Sequence, residues 1–392
     1  RNVRMMGIVS LLTDASSEMV YPVLPLFLAN VLGAPVVAVG VIESLAEATA
    51  SFMKLGSGWV SDRIGRRKPL VALGYTLSNV VKPVLALTQS WPAVLVLRMA
   101  DRLGKGVRTA PRDALIAESC TAAERGRSFG VHRALDTAGA ALGPLIAWLV
   151  LSLDPGAGGY RTIFAISAIP GAAAILVVLL GVRDTSAPAA KTAPTARITL
   201  RGLPRPLAVF TAISFVFALA NSSDAMLILR AQDLGAAAAT IPLMYVLFNV
   251  VGALLAGPLG ARSDRVGRRA MLVFGFGGYA LVYLGFALAR GAAAPWALFA
   301  LYGIPYAATE GMARAYVCDL AGPVGRGTAL GGYTLVLGMA ALPSSALAGL
   351  LWDTLTHAAP FAVSAVLMGA SALALLLGGR RLGPEPGGEI AG

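Results

Sequence analysis

Apolar residues along the 392-residue chain gather into runs bounded by charge or by Gly and Pro clusters, at about 5–32, 36–60, 69–88, 92–118, 129–152, 161–182, 206–229, 238–259, 270–290, 295–319, 330–355 and 360–379. A helix of about 20 residues crosses roughly 30 Å of hydrocarbon. The pattern therefore predicts an all-α membrane protein with twelve transmembrane helices. The longest polar interval, 183–205, is rich in Ala, Pro and Thr, as linkers are, and divides the spans six and six. The expected organisation is a six-helix bundle over 1–182, a cytoplasmic linker over 183–205, a second six-helix bundle over 206–380 and a cytoplasmic tail over 381–392. The stretch after Arg4 lacks a small-residue cleavage site, so it reads as a first span rather than a removed leader.

Composition narrows the class. Hydrophobic residues make up 57% and charged residues 13%, against roughly a quarter charged in soluble domains, which excludes a soluble multi-domain enzyme. A net charge of +12 raises the question of nucleic acid, and the position of the charge answers it. With the N-terminus inside, the loops 61–68, 119–128, 183–205, 260–269, 320–329 and the tail, with Arg1 and Arg4, hold about twenty of the 32 Lys and Arg; the opposite side holds about three, Arg161, Arg230 and Arg290. That bias orients the chain with both termini cytoplasmic, and nucleic acid is not an expected partner. Cys120 and Cys318 are too few for a thiolate metal site, and His132 and His357 lie far apart. No zincin, phosphate-loop or nucleophile-elbow motif occurs, so neither catalysis nor a cofactor or metal is expected. Uphill transport would then draw on an ion gradient.

The sequence repeats itself. Gly58, Asp62, Arg63, Gly65, Arg66 and Arg67, between the second and third spans, have counterparts 202 residues on in Gly260, Asp264, Arg265, Gly267, Arg268 and Arg269. Ser16-Ser17-Glu18 with Ser222-Ser223-Asp224, and Arg125-Gly126 with Arg326-Gly327, keep nearly that displacement. Parallel repeats of six spans imply two facing bundles with a site at the midplane. In the loop motif the glycines permit a sharp turn, Asp caps a helix or pairs with Arg, and the basic residues anchor the cytoplasmic side.

With this motif in both halves, the chain resembles a major facilitator superfamily transporter. The resemblance implies that Gly58, Asp62, Arg63, Gly65, Arg66 and Arg67, with Asp264, Arg265 and Arg268 of the second copy, latch the cytoplasmic side and release it as the protein opens inward. Arg102-Leu-Gly-Lys105-Gly106 is similar to the family's fourth-span Arg-x-x-Gln-Gly motif, with Lys where that motif has Gln. Gly139, Gly143 and Pro144 resemble its antiporter motif, with Ala147 in place of a last Gly, which implies export. Small residues four apart permit close helix packing, and Pro bends the helix.

Charge inside the spans marks the candidate chemistry. Arg98, Asp101, Arg102, Lys105, Arg108, Arg112 and Asp113 recur at steps of three and four along the fourth span. A charge in the bilayer costs several kcal/mol, so this stripe must line water or pair with acids. Asp14 and Glu18, and Glu43 and Glu47, are i,i+4 pairs; with Asp136, next to His132 and Arg133, they are the proton-coupling candidates. Carboxylates held close in low dielectric do not both ionise readily. Nine acids in the spans face nine bases, so plain neutralisation is the competing role for each. Substrate-cavity candidates are Lys82, Arg102, Lys105, Arg108, His132 and Arg133 in the first half. In the second they are Asn221, Asp224, Tyr245, Asn249, Tyr306, Glu310 and Arg314, with Tyr302, Tyr306, Glu310 and Arg314 at helical spacing.

The expected function is proton-coupled export of a small organic molecule by alternating access, in a monomer of a bacterial-type cytoplasmic membrane, with the substrate, H+ and the lipid bilayer as partners. Three alternatives stand beside it. The basic stripe with Lys82 suits an organic anion or metabolite. Asp14, Glu18, Glu43 and Glu47 offer oxygen ligands to a divalent metal or its chelate. A non-transporting membrane sensor is the third.

Overall fold

The computed structural model describes residues 1–121, 125–184, 204–321 and 326–378, except for the side chains of 55, 59, 62, 125–127 and 326–328. The expected tail and most of the expected linker lie outside the described residues. The chain separates into two compact units, Arg1–Pro194 with Ala237–Val246, and Thr195–Ala236 with Leu247–Gly392.

Twelve spans form the fold, several of them broken where the sequence pattern predicts one helix. The first is α1 (Asn2–Val20) followed by α2 (Leu24–Asn30). Pro22 and Pro25 interrupt it, since Pro lacks the N–H that a helix interior requires. Continuous spans follow: α3 (Val36–Ile64), α4 (Lys68–Val84), α5 (Trp91–Glu118) and α6 (Arg125–Leu153). The sixth is α7 (Ala157–Ile166) with α8 (Ala168–Leu176), ending in a π turn at Val177–Gly181. In the second half the seventh span is α9 (Arg205–Ala220) with α10 (Asp224–Asp233), and Ser223 caps α10 by accepting from the Ala225 N–H. Then come α11 (Ile241–Val266), α12 (Arg268–Leu288), α13 (Ala294–Thr309) with α14 (Met312–Ala321), α15 (Arg326–Thr354) and α16 (Ala359–Leu377).

Two sequence expectations change here. The face joining Tyr302, Tyr306, Glu310 and Arg314 is not one continuous helix, because Glu310 and Gly311 separate α13 from α14. Arg230, counted as a loop charge, is buried within α10 and paired with Asp233, its Nε donating to the Phe286 carbonyl.

Among the described residues, nine helical stretches are long and apolar enough to cross a bilayer unaided. The three other spans are the first and tenth, which are broken, and the fourth, which carries the charge stripe. Exposure is inverted relative to a soluble protein: Leu153 is 80% exposed, whereas Lys82 is 2% exposed. Hydrocarbon outside and polar groups inside is the distribution that a lipid solvent favours.

Within the first unit, α5 lies between α3 and α4, and α1 packs on α6. Glycines set these approaches. A Cβ on Gly74 of α4 would stand 2.6 Å from the Gly104 carbonyl of α5, and one on Gly106 would stand 2.7 Å from the Ala50 carbonyl of α3. Gly139 and Gly143 of α6 lie on the backbone of α1, against the Leu11 and Ala15 carbonyls respectively. In the second unit Gly303 of α13 lies similarly against the Phe248 carbonyl of α11. Aromatic rings fill its interior, including Phe217 stacked on Phe276 at 3.9 Å and Tyr279 edge-on to Tyr302 at 5.3 Å.

Candidate functional site

The polar interior of the first unit is ordered by the α5 stripe. Arg98 grips Glu43 of α3 with two hydrogen bonds, Nε to Oε1 at 3.0 Å and Nη2 to Oε2 at 2.9 Å, and gives Nη1 to Asp101 at 3.1 Å. The Ser78 hydroxyl of α4 donates to the other Asp101 oxygen at 2.5 Å. One turn on, Arg102 Nε stands 3.3 Å from Glu47, an ion-pair distance without hydrogen-bond geometry. Lys105 lies within electrostatic reach of Glu47 and Glu18. These helical steps hold charge where the fold can answer it across α3 and α1.

Three bases are answered differently. Lys82 is buried on α4, and its Nζ donates to Ser17 Oγ and Asn79 Oδ1, each at 2.8 Å, both neutral. Arg108 stands over the Tyr75 ring at 4.1 Å and makes no hydrogen bond or ion pair among the described residues. His132 is buried on α6 with Nε2 unpartnered.

The remaining acids meet on the α1–α6 seam. Asp14 and Asp136 lie within electrostatic reach of each other. Such a carboxyl pair is bonded only while it holds a proton. Asp136 also accepts from Ser10 Oγ at 2.7 Å and from the exposed Arg133 at 3.0 Å. The Gly139 and Gly143 contacts that bring α6 onto α1 place these two carboxyls together.

The divalent-metal alternative is not supported by this placement. Glu43 is taken by Arg98, Asp14 lies against Asp136, and Glu47 faces Arg102, so these three of the four carboxylates are turned to different partners. No group of three or more His, Cys, Asp or Glu among the described residues is placed to hold a metal ion.

In the second unit, Tyr283 donates to Asn221 at 3.1 Å and Tyr302 to Asp224 at 2.8 Å, both next to the α9–α10 break. Asn249 is half-buried on α11, and Tyr245 of the same helix, which falls in the first unit, is buried. Tyr306 packs edge-on to Phe248 at 5.1 Å. Glu310 and Arg314 are exposed and pair with each other at 3.1 Å.

The duplicated loop motif turns on a glycine in both units, and its arginines are paired differently in the two. Gly65 and Gly267 each end a helix at positive φ, 67° and 91°, which favours glycine. Gly58 is half-buried against Ala110; the Asp62 side chain lies outside the described residues, and Arg63 and Arg66 are exposed. Arg67 is buried and donates to Ser61 at 2.7 Å and to Glu118 at 3.1 and 3.2 Å. Asp184 accepts from the backbone N–H of Arg67 and Lys68, capping α4. In the second copy Arg268 pairs with Asp319 at 3.0 Å and stands 3.9 Å from Asp264, Arg265 is exposed, and Arg269 donates to the Leu375 and Leu376 carbonyls. Sequence reasoning missed Glu118 and Asp319. Each follows its arginine by 51 residues, a shared spacing that would have found them.

The sequence profile of the Major Facilitator Superfamily matches residues 6–229 and again 208–391. The chain is 38% identical over 383 residues to an uncharacterized MFS-type transporter of Methanocaldococcus jannaschii, covering 96% of this chain and 94% of that protein. It is 27% identical over 288 residues to the multidrug resistance protein MdtG of Enterobacter lignolyticus, covering 70% and 67%. Among solved structures, the nucleoside transporter NupG superposes with a TM-score of 0.79 at 15% identity, covering 96% of this chain and 98% of that one. A POT family transporter does so with 0.81 at 12%, covering 98% and 97%. Twelve spans, a duplicated loop motif and a charged interior thus meet a matching sequence profile, and the chain belongs to the Major Facilitator Superfamily, as a multi-pass membrane transporter of a small molecule rather than an enzyme.

Proposed function

We propose that this secondary transporter is proton-coupled and exports a small organic molecule, rocking two six-helix bundles, 1–182 and 206–380, around a midplane cavity. The observation that carries it is the Asp14–Asp136 carboxyl pair, two acids of different spans placed within reach of one shared proton. Losing that proton leaves two negative charges in contact, so the α1–α6 seam loosens or a base must approach. A proton that alters helix packing is the element a coupled transporter requires. Export is supported by the Gly139, Gly143 and Pro144 packing on α1 and by distant similarity to multidrug resistance proteins. The basic loops support a cytoplasmic-membrane location with both termini inside. Glu18 and Glu47, near Lys105 and Arg102, would relay charge between proton and substrate.

The test uses the purified full chain in vesicles with a fluorescent cationic dye, a nucleoside and an organic acid as cargo. Flux of one cargo should follow an imposed pH gradient, and Asp136→Asn and Asp14→Asn should each abolish gradient-driven accumulation while leaving passive exchange. Gradient-driven accumulation that survives both substitutions refutes the assignment.

A further inference from the structure

Resting on the transporter reading above, we propose that the first unit carries a binding site for the anionic group of a small organic acid, formed by Arg108, Tyr75, Arg112 and His132. Arg108 is 5% exposed, and neither its Nε nor its Nη1 has a hydrogen-bond partner among the described residues. Among the described residues its close partner is the face of Tyr75, which holds the cation in place but accepts none of its N–H groups. The Tyr75 hydroxyl, on the same ring, is also buried and unpartnered. A third unpartnered buried atom, His132 Nε2, lies on α6. Arg112, one turn beyond Arg108 on α5, is within electrostatic reach of both Tyr75 and His132. It gives one edge to Asp113.

Unpartnered buried polar atoms of α4 and α5, with His132 of α6 in electrostatic reach of Arg112, thus lie about one stretch of α5. A single anion answers them together, because a carboxylate or phosphate presents several lone pairs to guanidinium and phenol donors. The contrast along the same helix is informative. Arg98 has its donors filled by Glu43 and Asp101, so the fold supplies acids where a buried arginine is a structural member. Asp14 is within electrostatic reach of Arg108, but it is engaged with Asp136. Among the described residues no acid bonds Arg108.

The surroundings select an organic rather than an inorganic anion. Tyr75 packs in an apolar cluster with Met6, Val9, Val71, Leu115 and Ile116. A ligand whose charge meets Arg108 places its body beside hydrocarbon and aromatic surface. Carboxylates and phosphate monoesters share the required chemistry, and the experiment separates them.

The full chain in detergent is melted with benzoate, hexanoate, phenyl phosphate or inorganic phosphate, and with benzamide, hexanamide and benzylamine as matched controls. Variants are Arg108→Gln, Arg108→Lys, Tyr75→Phe and, as a distant exposed charge, Arg290→Gln. An organic anion should raise the melting temperature of the wild type and Arg290→Gln, which the neutral and cationic controls do not. Benzoate and hexanoate active without phenyl phosphate means a carboxylate site, and the reverse a phosphate-ester site. Arg108→Gln should weaken binding by roughly tenfold or more, and Arg108→Lys should restore part of it, since it keeps charge without the planar fork. Tyr75→Phe should weaken it by about threefold, for one lost hydrogen bond; it and Arg108→Lys decide the matter should Arg108→Gln fail to fold. No organic anion exceeding its neutral control, equal effect of inorganic phosphate, or full binding in the Arg108 variants overturns the proposal. Binding is read at equilibrium with no gradient. Anion binding without pH-driven flux therefore sinks the coupling reading and leaves the site, whereas flux without anion binding does the opposite.

Discussion

Replacing Arg98 by Gln should be the most damaging single neutralisation in the first unit, and more damaging than removing its partner. Glu43 is buried and gives both oxygens to Arg98, so Arg98→Gln leaves that carboxylate without a cation in contact. Asp101 fares better, keeping Ser78 and Arg102 at 4.0 Å. Stranding one buried charge costs about 3–5 kcal/mol. In Glu43→Gln, Arg98 retains Asp101 at 3.1 Å and the new amide oxygen accepts one of the two N–H groups, so the loss is about 1–2 kcal/mol. The double variant leaves Asp101 facing Arg102, with no stranded carboxylate, and should be more stable than Arg98→Gln alone. At roughly 2–4 °C per kcal/mol for a unit of this size, the melting temperature should fall by about 10 °C for Arg98→Gln and about 4 °C for Glu43→Gln. Thermal melting in one detergent at one pH measures all three. Equal losses in the two single variants, or a double variant worse than Arg98→Gln, would refute the assigned pairing.

Two further expectations concern backbone contacts. Gly143→Val should destabilise the protein by about 1–3 kcal/mol, since its Cβ would stand 2.7 Å from the Ala15 carbonyl, whereas Gly130→Ala on the same helix has open space and should be neutral in the same melt. Gly65→Ala and Gly267→Ala should each cost about 1–2 kcal/mol, because both positions hold positive φ; if neither lowers the melting temperature, the two loop turns are not built as described.

The spans were legible in sequence because lipid imposes a length and a polarity on every helix that meets it. The breaks were not, because hydropathy is blind to backbone hydrogen bonding: Pro22 and Pro25 divide the first span, and Gly311 the tenth, without changing the apolar run. The α5 stripe was legible from its period, and so was the face shared by Glu43 and Glu47. Which acid meets which base was not. Asp136 finds Asp14 across 122 residues of sequence, through two glycines that set helix distance but carry no charge signal. Glu118 escaped notice for a different reason. It sits at the end of a helix already rich in charge, and only its buried guanidinium partner, Arg67, distinguishes it from a solvated surface acid.

Counting nine acids against nine bases suggests that neutralisation is complete, and the geometry shows why the count misleads. Arg98 uses two carboxylates, Glu43 and Asp101, while Asp14 and Asp136 use each other. A base that takes two acids, or an acid that lies against another acid, leaves another base without a carboxylate in contact. The unmatched bases are not scattered: Lys82 rests on two neutral oxygens and Arg108 on a ring face, on adjacent helices of one unit. A buried guanidinium held by a ring face rather than by a carboxylate is a costly packing element. On the proposal above, the guanidinium of Arg108, whose donors the described residues leave open, is a cargo contact. On that logic neutralising Arg108 should impair cargo binding more than stability, whereas neutralising Arg98 should do the reverse. Measuring melting temperature and ligand affinity on the same two variants places each arginine in one class or the other. A variant of Arg108 that loses as much stability as one of Arg98 would show that its charge is structural after all.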